Sequence, residues 1–216
     1  MQMNSTLNHA LMSPRGNNFF EFNCRAFRLC PANVKDMLIL DVGASNLSLF
    51  GRNAALRGAR VVGMDPTYKD VLVDPDIAIV NIEISVGAEE YDIPTRELPP
   101  LSMNIAALGQ SIPMLDNTFD MVVSFACVEY LPIEDYEITL REMLRVVKPG
   151  GTIRLATVGQ NDEVHHFGYY SYSYRYVAAE FERALENLEA TIEFHFFDFP
   201  EVGNYGQRGV IITKPI

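Results

Sequence analysis

An acid, a glycine and a second acid are the residues of this chain whose types and spacing could do chemistry together. Asp41 and Gly43 lie at the end of the apolar run in MLILDVGASNLSLFG (37–51), and Asp65 closes the one in ARVVGMDPTY (59–68). A carboxylate about 20 residues beyond a glycine turn, at the tip of the next strand, can accept both hydroxyls of a ribose. The ligand so implied is an adenosine-containing cofactor. The elements that must position these groups form one βαβ unit. Met37 to Leu40 has the continuous apolar character of a strand buried on both faces, and the turn from Asp41 to Asn46 opens a helix that runs to about Arg57 and stops at Gly58. Val61 to Met64 is the second strand.

The turn itself narrows the cofactor. A dinucleotide fingerprint needs three glycines so that bare backbone can approach a pyrophosphate at a helix N-terminus. Here Gly43 is followed by Ser45 and by Leu47 or Ser48 at the next two sites, and the side chains of Ser45 and Leu47 fill that approach. NAD and FAD, and with them a nicotinamide-dependent oxidoreductase, are disfavoured.

Composition bounds the rest. A chain of 216 residues buries enough surface to need neither disulfide nor metal support. Its N-terminus, MQMNSTLNHALMSPRGNN, has no basic start and no apolar core of the kind that directs export, and the longest apolar stretches are of strand length. A cytoplasmic protein without membrane insertion is expected. Cys24, Cys30 and Cys127 match no metal spacing and read as thiols in a reducing compartment, and no metal site is expected. A net charge of −11 with scattered cations argues against binding a nucleic-acid backbone by counterion release.

The second half carries a sharper pattern. Asp116-Asn117-Thr118 reads as a turn and Phe119 to about Phe125 as a strand. Pro132 marks a helix start, and Tyr136, Leu140, Met143, Leu144 and Val147 then recur at helical spacing. Lys148-Pro149-Gly150-Gly151 ends that helix, with Pro149 as the stop and the glycines as a turn into a strand from Thr152 to Val158. Gly159 to Tyr172 reads as a polar, tyrosine-rich loop, Tyr174 to Leu188 as a helix with Val177, Phe181, Leu185 and Leu188 on one face, and Thr191 to Phe199 with Gly209 to Ile212 as closing strands.

FDMVVSFACVEYL followed by LREMLRVVKPGGTIRLAT resembles the post-cofactor half of class I S-adenosylmethionine-dependent methyltransferases, in the sub-group acting on small molecules such as quinone precursors and sterols. The resemblance covers roughly residues 35–65 and 103–160. It implies an α/β fold: a Rossmann-like, seven-stranded, mainly parallel sheet with helices on both faces and a C-terminal antiparallel strand pair. Residues 1–35 would form an N-terminal helical or extended segment, with a short helix at Phe22 to Leu29 beside or over the cofactor, and 36–216 the methyltransferase-like domain. The implied cofactor is S-adenosyl-L-methionine and the implied partner a small-molecule substrate.

Carried over residue by residue, the resemblance places Asp41 and Gly43 by the methionine part of the cofactor, with Ser45 and Leu47 departing from the family's later glycines. Asp65 matches the ribose acid, and Pro66 flanks the adenine. Aligning Ile112-Pro113 with the family's Leu-Pro puts Leu108 where an Asp normally accepts the adenine amino group, and leaves Gly109 and Gln110 to read the ring. Phe125, just past the fourth strand, falls at the methyl-donor site. A base is needed only if the acceptor is an alcohol or an ammonium-form amine; the candidates are Glu129 and Tyr130 after the fourth strand, where the family often has His for Tyr130, and His165 and His166 after the fifth. Loop surface is the competing reading for the two histidines. The tyrosines from Tyr169 to Tyr176 line an aromatic pocket or cap the sheet edge, and Glu134, Asp135, Glu137 and Glu142 read as a solvated face.

One region departs from the pattern. Residues 67–102 hold the strand-like IAIVNIEISV (77–86), Glu89-Glu90 and the proline-rich IPTRELPPL (93–101). They read as a surface elaboration, or as a hairpin that covers the substrate or makes a homodimer contact. The expected activity is methyl transfer to a small-molecule acceptor by in-line displacement at the sulfonium methyl. The rival is a non-catalytic protein of the same fold that binds a ligand or partner, and Ser45, Leu47, Leu108 and Tyr130 are its support.

Overall fold

In the computed structural model the described residues are 20, 23–44, 48–66, 103–125, 127–128, 131–157, 164–167, 170–197 and 207–216. Ser45, Leu47, Glu129, Tyr130 and all of the 67–102 segment lie outside them. Nine strands are described: β1 (Leu38–Val42), β2 (Arg60–Met64), β3 (Met103–Ile105), β4 (Phe119–Phe125), β5 (Val147–Thr157), β6 (Val164–Phe167), β7 (Tyr170–Ser173), β8 (Thr191–Phe197) and β9 (Gln207–Thr213). Three α-helices join them: α1 (Leu49–Leu56), α2 (Tyr136–Val146) and α3 (Tyr174–Glu186). Residues 23–26 add a further helical turn ahead of β1.

The main sheet has the order β3-β2-β1-β4-β5-β9-β8. The first five strands are mutually parallel, and β9 lies antiparallel between β5 and β8. Strands buried on both faces need apolar residues at successive positions, and β1 and β2 have them. Leu40, Val42, Val62 and Met64 join Val122, Ile153 and Leu155 in a core with Leu140 and Met143 of α2 and Phe181 and Leu185 of α3. The alternate residues Ile39, Val61, Met121, Val123 and Ala156 face the other way, onto Phe50 and Ala54 of α1 and Phe20 and Phe27 of the N-terminal segment. Helices therefore flank both faces.

The strand limits differ from expectation at three places. β1 continues through Asp41 and Val42, and α1 begins only at Leu49, because Asp41 pairs with Gly63 and Val42 with Met64, extending the β1–β2 ladder to the end of β2. α2 ends at Val146, ahead of Pro149, and the Lys-Pro-Gly-Gly segment lies within β5. Phe119 pairs with Val147 and Met121 with Thr152, so residues 148–151 bulge opposite Asp120 alone. Gly150 takes φ +75° there, and Lys148 Nζ donates to Asp120 Oδ1 at 2.6 Å. Finally, the tyrosine-rich loop contains a hairpin, β6 against β7. Its Val, Phe and Tyr content has strand propensity that the polarity of the segment masks.

Distant residues seal the ends of these elements. Lys214, beyond β9, donates to the α2 carbonyl of Leu144 at 2.7 Å and to Val147 O at 2.9 Å, placing a cation on the negative end of the helix.

Candidate functional site

The parallel strands β1, β2 and β3 end together and are stitched at their tips. The amides of Gly43 and Ala44 both donate to Met64 O, at 2.9 and 3.2 Å, and Asp65 N–H donates to Ile105 O at 3.1 Å. Gly43 needs to be glycine twice over. Its φ is +74°, and a Cβ would overlap the side chain of Cys127, which follows β4. The chain's one family-matching glycine thus permits both the turn and the close approach of β4's C-terminal extension.

Asp41 is buried on the α1 side of this turn. Ser48 donates its hydroxyl to Asp41 Oδ2 at 2.8 Å, and the Gly51 amide donates to the same carboxylate. Burial pushes the Asp41 carboxyl up to about 6; these two hydrogen bonds pull against the rise, and the charge of Asp65 adds to it. Ser48 is the N-cap of α1 in a left-handed conformation, φ 41° and ψ 55°, which is costly for a residue with a Cβ. Gly51 lacks a Cβ where one would stand 3.3 Å from Asp41 Oδ2 and 3.0 Å from Val61 Cγ1. Sequence reasoning gave Ser48 only as an alternative occupant of a glycine site, and missed its bond to Asp41 and the role of Gly51; the one available signal was a serine followed by a glycine at the start of a helix that has to press its first turn onto an acid.

Asp65 stands half-buried just beyond β2, and Pro66 is exposed beside it. Asp41, Gly43, Asp65 and Pro66 are therefore gathered at the C-terminal ends of β1 and β2. Phe125 is the last residue of β4 rather than a residue past it, and its ring meets the edge of Phe27 at 6.4 Å and 84°. It packs with the α1-side core.

Gly109 and Gln110 are turned toward α2. A Cβ on Gly109 would lie 2.8 Å from Thr139 Cγ2, and Gln110 Nε2 donates to Asp135 Oδ2 at 2.8 Å. The following residues are held the same way. Ile112 N–H donates to Glu142 Oε2 at 3.0 Å, while Arg145 donates to Ile112 O at 2.8 Å, Met114 O at 2.8 Å and Asp116 Oδ1 at 2.7 Å. Asp135 and Glu142 are thus ties between the post-β3 segment and α2, a correction to their reading as solvated face. The Arg145 guanidinium and the Ile112 amide hold the Glu142 carboxyl below its ordinary range.

His165 and His166 lie on β6, cross-strand from Tyr172 and Ser171. Glu129, Tyr130 and Ser45 fall outside the described residues. Among the described residues no three His, Cys, Asp or Glu side chains gather as a metal site, and no cysteine is in a disulfide. No helix among them is long and apolar enough to cross a membrane.

Residues 40–155, more than half of the chain, match the family model described as methyltransferase domain. The chain belongs to the methyltransferase domain family. Among curated proteins, this methyltransferase domain is similar to the ubiquinone biosynthesis O-methyltransferase of Rhizobium etli, with 28% identity over 127 residues, 59% of this chain and 43% of that protein. The chain spans about half the length of the curated relatives it matches first. Among solved structures it is similar in fold to a SAM-dependent methyltransferase of Methanosarcina mazei, with a TM-score of 0.59, 17% identity, and 84% of this chain and 94% of that one covered. The magnesium protoporphyrin IX methyltransferase of Synechocystis PCC 6803, solved with bound SAM, gives a TM-score of 0.57 at 13% identity over 92% of this chain and 79% of that one.

Proposed function

We propose that this methyltransferase domain binds S-adenosyl-L-methionine and transfers its methyl group to a small-molecule acceptor. The observation that carries the reading is the convergence of the Gly43 turn and Asp65 at the stitched ends of β1 and β2, where parallel sheets bind ligands. The donor set suits the cofactor. Two carboxylates, one of them raised in pKa by burial and further by the charge of the other, favour a cationic guest.

Asp65 would accept the ribose hydroxyls, with Pro66 against the adenine. Asp41 would act from behind, fixing the first turn of α1 through Ser48 and Gly51, and the Gly43 turn would hold the methionine end. Ser45 belongs to the same turn by sequence. Phe125 would form the apolar wall at the donor end. Gly109 and Gln110, fastened to α2, would border the adenine, with the exposed Leu108 in place of an acid.

When bound, the cofactor supplies a sulfonium methyl that needs no further activation. The chain's task is then to hold the acceptor in line and exclude water, which can supply roughly 7–11 kcal/mol of the barrier. For an alcohol or ammonium acceptor, Glu129, Tyr130, His165 and His166 are the candidate bases. The ubiquinone-pathway relative and the porphyrin methyltransferase support a small planar acceptor. A cytoplasmic location and no nucleic-acid partner complete the reading.

Calorimetric titration with S-adenosylmethionine, S-adenosylhomocysteine and NADH tests it. Micromolar binding of the first two and none of NADH is the expected result. Absence of binding by both sulfur compounds would overturn it.

A further inference from the structure

Four strands share one cross-sheet row at the end of the sheet that carries the site. Phe125 pairs with Ala156, Ala156 with Gly209, and Gly209 with His195. Two large side chains thus bracket two minimal ones, and the row forms a saddle. The N-terminal segment sits in it. Ala26 O lies 2.7 Å from where a Gly209 Cβ would stand and accepts a hydrogen bond from His195 Nε2 at 2.7 Å. A Cβ on Gly209 would also overlap the imidazole.

The neighbouring row supplies the grips. Val123 pairs with Arg154, Arg154 with Ile211, and Ile211 with Glu193. Arg154 Nη1 donates to Phe27 O at 2.5 Å and Arg28 O at 2.9 Å, and Arg28, held at φ 46°, pairs with Glu193. Three successive carbonyls are therefore held by His195 and Arg154 together. The ring of Phe27, seated by these bonds, meets Phe125 at one end and Phe50 of α1 at 5.3 Å and 85°.

We propose that residues 23–30 form a latch across this saddle, with His195 as its acid-sensitive catch, and that the latch fixes Phe125 at the binding end of the sheet. The part concerning binding rests on the proposed function; the latch itself does not. A backbone carbonyl only accepts, so the closed latch uses the Nε2–H form of His195. The charged groups facing the ring among the described residues are Arg28 from the segment, Arg154 from β5 and Glu193 from β8. Burial and the two guanidinium groups hold the imidazole below its ordinary range, against the Ala26 carbonyl and Glu193. Between that lowered value and the ordinary one near 6.5, protons bind the open form in preference, and acid opens the latch.

The test is amide hydrogen exchange of residues 23–30 at about pH 7.5 and about pH 5.5, corrected for intrinsic rates, in the wild type and in His195→Gln. Glutamine can still donate to Ala26 O and does not titrate. The wild type should lose protection by up to about tenfold on acidification, the linkage expected of one histidine, and the variant should not. Equal acid sensitivity in both, or none in either, overturns the latch. S-adenosylhomocysteine titrations at the same two values read the coupling: Asp41 titrates in both proteins, so a steeper fall of affinity with acid in the wild type than in His195→Gln supports it, and parallel behaviour overturns it. If the compound binds at neither pH, the functional reading fails, while the exchange result still decides the latch.

Discussion

Ser48 donates a 2.8 Å hydrogen bond to Asp41 across the turn that carries the family's glycine position. The bond joins the end of β1 to the start of α1 and places a carboxyl with a raised pKa directly behind the candidate cradle. The serine accepts a left-handed backbone to make it.

From the burial of this carboxyl follows a stability prediction. The folded carboxyl titrates near 6 against an ordinary value of 3.8, so the folded state binds the extra proton between those values. Stability is complete below about pH 4 and falls as pH rises through about 6. Asp41→Asn keeps an acceptor for Ser48 and Gly51 without the charge. It should remove that slope and raise stability at pH 7 by roughly 1–3 kcal/mol. Urea denaturation of both proteins at several pH values checks this; an unaltered pH profile would refute it.

Asp65 is half-buried at a strand tip, so removing its carboxylate should spare the fold and harm the ligand. Asp65→Ala is expected to weaken S-adenosylhomocysteine binding by roughly 1.5–3 kcal/mol, the worth of hydrogen bonds to a charged acceptor. His165→Ala should bind as the wild type does. Calorimetry on the two variants separates the roles, and an unchanged dissociation constant for Asp65→Ala would remove the ribose assignment.

Gly43 meets two constraints that a double-mutant cycle can part. Gly43→Ala should cost about 1–2 kcal/mol from its left-handed backbone alone and more from the clash with Cys127. Adding Cys127→Gly, which removes both the Sγ and the Cβ that a Gly43 Cβ would overlap, should recover the second share only. Strictly additive costs would show that the two side chains do not meet.

Glu142 joins α2 to the segment after β3. Glu142→Ala should strip the Ile112 amide of its acceptor and speed its hydrogen exchange, with neighbouring amides from 109 to 116 following. Since the carboxyl titrates below its ordinary range, its contribution is present above about pH 4.5 and lost as pH falls through the folded value. Wild-type exchange of Ile112 should therefore rise, after intrinsic correction, in acid. Identical protection in variant and wild type at neutral pH would contradict the tie.

Much of the fold was legible because parallel strands buried on both faces leave unbroken apolar runs. Met37 to Leu40 and Val61 to Met64 are such runs, and the acids and glycine at their ends are placed by chain order alone. The β6–β7 hairpin was not legible, since His, Ser and Tyr alternation reads equally as a polar loop. The role of Glu142 was hidden because an acid on an amphipathic helix looks the same whether it faces water or a loop amide. His195 and Gly209 meet only through the β8–β9 register, a fact that no local pattern holds. Ser48 depends on a left-handed φ, which sequence favours for glycine rather than serine.

The place of β9 has a bearing on how the protein is made. It follows β8 in chain order, yet it fills the position between β5 and β8 in the sheet. During synthesis, β5 has one uncovered edge and β8 has no partner until residues 207–213 have emerged. The half-made sheet is a template for pairing with other nascent chains, so the sheet is vulnerable until β9 is inserted.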